Sequence, residues 1–102
     1  MNSVISQHRP ELAALCRRYR VQRLEVFGSA AKGQEQSGES DFDFLVEFDT
    51  LPPDGYANAY FSLLESLEAL YGKRVDLVVA SAIRNPFFLQ AIEQSRTLLY
   101  AA

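Results

Sequence analysis

Cysteine is almost missing from this sequence: Cys16 is the only one. An internal disulfide is therefore excluded, and no Cys/His spacing suited to zinc or dithiol chemistry is present. Basic residues are also in the minority, 10 against 13 acidic ones, for a net charge of −3. That balance argues against a protein that grips nucleic acid through a basic surface. No apolar run approaches the roughly 20 residues of a membrane-spanning helix, and the N-terminus lacks the apolar region of a signal peptide. A cytoplasmic protein with no membrane contact is the expectation. Internal repeats and low-complexity tracts are lacking too. What remains is 102 residues with 48% apolar composition, which predicts one domain over residues 1–102 with a real but modest core.

Hydrophobic spacing divides the chain. In Pro10–Tyr19, Leu12, Leu15, Cys16 and Tyr19 recur at i, i+3, i+4 and i+7, one face of a helix that opens on Pro10 and Glu11 and closes on Arg17 and Arg18. Arg23–Phe27 reads as a strand, with Leu24 and Val26 on one side and Phe27 on the other. Gly28 and Ser29 end it, Ala30–Lys32 suits one helical turn, and Gly33 opens a polar loop. The next strand, "SDFDFLVEF", puts Phe42, Phe44, Val46 and Phe48 on one face and Asp41, Asp43, Leu45 and Glu47 on the other. Pro52 and Pro53 break the chain, and Asp54 is the expected N-cap of a helix ending near Tyr71, with Gly72 as its C′ residue. "RVDLVVA" is a third strand. Asn85 and Pro86 cap and open a third helix to about Gln94, and "TLLY" suits a short edge strand. The order α-β-β-α-β-α predicts an α+β fold: a small mixed sheet with helices packed against it.

Two aspartates inside an apolar strand need compensation, because buried charge is costly. Asp41 and Asp43 are two residues apart, so they project from the same face with Cα atoms about 6.5–7 Å apart. A divalent cation would remove their mutual repulsion, and Mg²⁺ characteristically combines a few carboxylates with substrate phosphates. Asp76 has the same setting, a charge within a Val-rich strand. If its strand lies beside the second one, three carboxylates converge, enough for two metal ions. The Gly28–Ser29 corner complements them, since a glycine lets backbone N–H groups approach a phosphate and the serine hydroxyl adds a donor. Lys32 could neutralise the same phosphates. Together these residues predict chemistry on a nucleoside triphosphate.

In these residues, "GSAAKG…SDFDFLV" followed by "RVDLV", the chain resembles the minimal nucleotidyltransferases (MNT) of the DNA-polymerase-beta-like superfamily, typified by the antitoxins of HEPN/MNT toxin–antitoxin pairs. The resemblance runs from the first helix to the terminal "LLY". It implies that Gly28, Ser29 and Lys32 hold the triphosphate of ATP and that Asp41, Asp43 and Asp76 ligate Mg²⁺, with Asp76 also helping to deprotonate the attacking hydroxyl. It further implies transfer of AMP to a tyrosine of a HEPN toxin, silencing that partner's ribonuclease, within a hetero-oligomer of the two. Two features depart from the pattern. Eleven residues separate Ser29 from Asp41, one more than usual, and Lys32 stands where arginine is common. The main alternative is an antitoxin that neutralises its toxin by stoichiometric binding. A small-molecule nucleotidyltransferase would want a second domain to hold its acceptor, and a template-directed polymerase would want a basic track.

Other residues suit plainer roles. Cys16 belongs to the core face of its helix, His8 has no acidic neighbour in the sequence pattern and reads as solvated, and Glu47 is expected to face water. Tyr56, Tyr60, Phe61, Phe87 and Phe88 are mostly core by spacing, with one or two available for a partner.

Overall fold

The computed structural model describes residues 5, 7–28, 42–50 and 53–102. Among them lie three helices and four strands, in the order α1 (Arg9–Arg18), β1 (Val21–Phe27), β2 (Phe42–Phe48), α2 (Pro53–Tyr71), β3 (Val75–Val79), α3 (Pro86–Glu93) and β4 (Thr97–Ala101). A short 3-10 turn, Ala80–Ala82, follows β3 and has no counterpart in the sequence pattern. No helix among the described residues is long and apolar enough to cross a membrane.

The strands form one mixed sheet in the order β3-β2-β1-β4. β1 pairs antiparallel with both β2 and β4, whereas β2 and β3 run parallel. A parallel neighbour requires a crossover, and α2 is that crossover. The parallel ladder starts where Phe42 N–H donates to Arg74 O at 3.1 Å. Its register then sets Phe42 opposite Val75, Asp43 opposite Asp76 and Phe44 opposite Leu77.

Period-two alternation sorts the side chains into two cores. On one face, Leu24, Val26, Phe42, Phe44, Val46 and Leu77 bury against Leu12 and Cys16 of α1 and Leu63 and Leu67 of α2. On the other face, Phe27 and Leu45 meet Ile92 of α3. Val21 joins the first core together with Leu24, three residues on, because a register shift between Val21 and Arg23 resets the alternation. Each fully buried Phe or Leu contributes about 1.5–3 kcal/mol, so the large face holds the fold and the small one holds α3. Burial pushes the Cys16 thiol up to about 12, as suits a packing residue.

The helix ends follow their residues, with one correction. Asn85 Oδ1 accepts from Phe87 N–H at 2.9 Å, with Pro86 as first helical residue. Gly72, at φ +64°, closes α2. Asp54, expected as the N-cap of α2, instead lies in its first turn, because Pro53 already takes a helical position. There its charge still favours the positive helix end.

Candidate active site

Asp43 leaves β2 on the small-core face, between Phe42 and Phe44, whose rings anchor the strand in the opposite core. It faces Phe27 of β1 on one side and Asp76 of β3 on the other. Neighbouring strands are about 4.8 Å apart, so the two carboxylates occupy adjacent positions along one rung of the sheet. Asp43 is half-buried and Asp76 is exposed. Two carboxylates side by side on one rung offer hard oxygen donors of the kind a divalent cation accepts.

Gly28 borders the same rung. Its φ is +76°, a conformation that L side chains rarely adopt, and an added Cβ would lie 2.6 Å from Asp43 Oδ2. Only a glycine lets the backbone pass this close to the carboxylate. Gly28's own N–H is committed to Ser95 Oγ at 2.9 Å. Donors for a phosphate at this corner would therefore come from the residues after it. Ser29, Lys32 and Asp41, together with the helical turn over Ala30–Lys32 and the loop from Gly33, lie outside the described residues.

A cleft of about 490 Å³ opens at the β3 edge, where Asp43 and Asp76 meet Phe27, Tyr60, Val78 and Phe88. Tyr60 O–H donates to Leu77 O at 2.5 Å, satisfying a carbonyl on the open side of β3. Phe27 and Phe88 pack edge to face with centroids 6.1 Å apart, forming an apolar wall beside the acids. Among the described residues, no group of three or more His, Cys, Asp or Glu side chains comes together to hold a metal. The described donors are two carboxylates, hard oxygen ligands that suit a divalent cation keeping part of its water shell.

A second polar cluster escaped the sequence pattern. Glu25, only 4% exposed, accepts from Arg96 Nε at 2.8 Å and Arg96 Nη2 at 2.6 Å, and from Arg23 Nε at 3.1 Å. The Arg96 fork, then burial acting the other way, then Arg23, leave the Glu25 carboxyl below its usual range. Arg96 is also paired with Glu93 and titrates above its ordinary value, chiefly through Glu25. The only hint in the sequence was a glutamate alternating into a buried strand.

Several expectations change in three dimensions. His8 is not simply solvated: its Nδ1 lies 2.7 Å from Glu11 Oε2 and its ring meets Tyr71 edge-on. Glu47 accepts from Ser81 N–H at 3.1 Å, capping the 3-10 turn instead of only facing water. Tyr56 and Tyr60 are half-buried, but Phe61, Phe87 and Phe88 are 58%, 78% and 39% exposed. α3 is only eight residues long and sends Ile92 alone fully into the small core, so its N-terminal rings stay outside.

A mixed sheet flanked by helices, with an acidic rung at the β2–β3 seam and a glycine corner beside it, defines a nucleotidyl-transferring class of α+β domain. Comparison with known proteins agrees. Residues 12–99 match the model of the nucleotidyltransferase domain, and the chain belongs to that family. MJ1379 of Methanocaldococcus jannaschii, named as a candidate protein adenylyltransferase, is 40% identical over 77 residues, 76% of this chain and 75% of its own. The protein adenylyltransferase MntA of Thermococcus cleftensis is 36% identical over 85 residues, 83% of this chain and 79% of its own. A solved structure named as a candidate minimal nucleotidyltransferase superposes with a TM-score of 0.76 at 30% identity, covering 95% of both chains. A chain from the complex of a tri-AMPylated Shewanella oneidensis HEPN toxin with an MNT antitoxin shares the fold at TM-score 0.64 and 21% identity, covering 96% of this chain and 73% of that one.

Proposed function

We propose that this nucleotidyltransferase is an antitoxin that moves AMP from ATP, with Mg²⁺, onto a tyrosine hydroxyl of a cognate HEPN ribonuclease toxin held in a cytoplasmic hetero-oligomer. The observation that carries this reading is the Asp43–Asp76 rung beside the Gly28 corner. The named activity of the Thermococcus relative and the toxin complexes formed by proteins of the same fold support it.

In this reading Asp43 and Asp76, with Asp41, hold Mg²⁺, which when bound neutralises triphosphate charge and acidifies the attacking hydroxyl. Ser29, the backbone that follows Gly28, and Lys32 take the phosphate oxygens. Gly28 keeps side chains clear of Asp43, so a phosphate can approach the acids. Asp76, exposed at the sheet edge, accepts the proton as the hydroxyl oxygen attacks the α-phosphorus. The new O–P bond forms as the bond from that phosphorus to the α–β bridging oxygen breaks, and pyrophosphate departs in line.

Incubation of the chain with a molar excess of its toxin, ATP and Mg²⁺ tests this by intact mass. The toxin should gain whole AMP units, EDTA should abolish the gain, and ribonuclease activity should fall beyond one toxin per antitoxin. The exposed ring of Phe88 in the cleft wall, with the exposed Phe87 next to it in the chain, favours a second reading, neutralisation by stoichiometric binding. In that case inhibition stops at equivalence and neither chain gains mass.

A further inference from the structure

The turn between α3 and β4 is fastened more firmly than a surface turn needs to be. Ile92, at its start, is buried between Phe27 and Leu45. The Ser95 and Arg96 N–H groups both donate to Ile92 O, at 3.0 and 2.9 Å. Arg96 then sets two nitrogens on the buried carboxylate of Glu25 and another on Glu93. A forked guanidinium–carboxylate pair is geometrically specific, so it fixes the turn in position as well as holding it down.

The result is a hydroxyl at one defined place. Ser95 Oγ accepts from Gly28 N–H across 67 residues of sequence. That bond fixes the peptide plane entering Gly28, where the chain leaves β1 in the left-handed region and passes against Asp43 Oδ2. β1 is already paired on both sides up to Val26.

We propose that Ser95 is a positioning residue for nucleotide binding: through the Gly28 N–H it orients the corner from which the phosphate-binding segment departs and keeps that backbone at its distance from Asp43. The inference rests on the nucleotide-transfer reading. Ser95 touches neither substrate nor cation; it acts through Gly28.

The test is calorimetric titration of the full-length chain with the Mg²⁺ complex of a non-hydrolysable ATP analogue, beside thermal melts. Losing one such hydrogen bond should weaken affinity about fivefold in Ser95→Ala. Ser95→Thr, which keeps the acceptor oxygen, should return affinity to within about twofold of wild type, an effect smaller than any single hydrogen bond. Melting temperatures of both variants should stay within about 5 °C of the parent, the scale of a 1 kcal/mol change. Unchanged affinity in Ser95→Ala, with wild type binding normally, overturns the positioning role and leaves the activity reading intact. So does a loss that Ser95→Thr fails to recover. Absence of binding by the wild-type chain removes the activity reading and this inference with it.

Discussion

Replacing Gly28 with alanine loads two separable effects onto one methyl group. The backbone stays at φ +76°, where a Cβ crowds its own following carbonyl at a cost of about 1–2 kcal/mol. For a chain of this size that lowers the melting temperature by roughly 5–15 °C. The second effect is local. The new Cβ would stand 2.6 Å from Asp43 Oδ2, well inside ordinary van der Waals contact, so the carboxylate must swing away from its place on the rung with Asp76. Displacing a catalytic group by about 1 Å can lower turnover about a hundredfold, and we expect a loss of at least that order. Gly72 provides the control. Its φ is +64°, yet a Cβ there meets nothing within 4 Å. Gly72→Ala should therefore melt early to a similar degree while keeping its transfer activity, assayed with radiolabelled ATP well below either transition. The reasoning is refuted if Gly28→Ala turns over normally, or if Gly72→Ala loses as much activity as Gly28→Ala.

Asp76→Asn and Asp43→Asn should each abolish transfer. For Asp76→Asn the melting temperature should hold or rise, since opposed like charges on paired strands cost about 0.2–1 kcal/mol; residual turnover near the parent rate would contradict the assignment. Glu25 makes a pH prediction whose sign follows from its lowered pKa, caused first by the Arg96 hydrogen bonds. Its stabilisation is complete above the ordinary 4.5 and is lost as pH falls through the depressed folded value. Urea unfolding of Glu25→Gln should show about 1.5–3 kcal/mol less stability at neutral pH and a shallower decline towards acid than the parent. An unchanged acid limb would mean that Glu25 carries little of that linkage.

Local chemistry was readable from the residues wherever it depended on neighbours in the chain. Alternation in "FDFLVEF" assigned both faces of β2 correctly. The Asn85–Pro86 signature located the start of α3. Strand order was another matter. Whether Asp76 meets Asp43 depended on β3 lying parallel beside β2, a choice made by the whole sheet and not by either strand alone. The same limit hid Glu25–Arg96, Gly28–Ser95 and Glu47–Ser81, each joining distant segments. His8–Glu11 depends on where the helix begins: it starts at Arg9, one residue before the proline expected to open it, which sets Glu11 within a turn of His8. The exposed rings of Phe61, Phe87 and Phe88 show that helical spacing reports which residues share a side, not whether another element covers it.

The placement of β4 has a consequence for how the protein comes into being. Strand β1 is made early, yet its edge is closed by Thr97–Ala101, and the two contacts that shape the glycine corner reach 67 and 71 residues ahead. A nascent chain still on the ribosome can assemble its helices but not this corner, because the closing partners have yet to emerge. A nucleotidyltransferase built this way would have no finished corner during its own translation, and fragments lacking the final strand would have the acids without the frame that aims them.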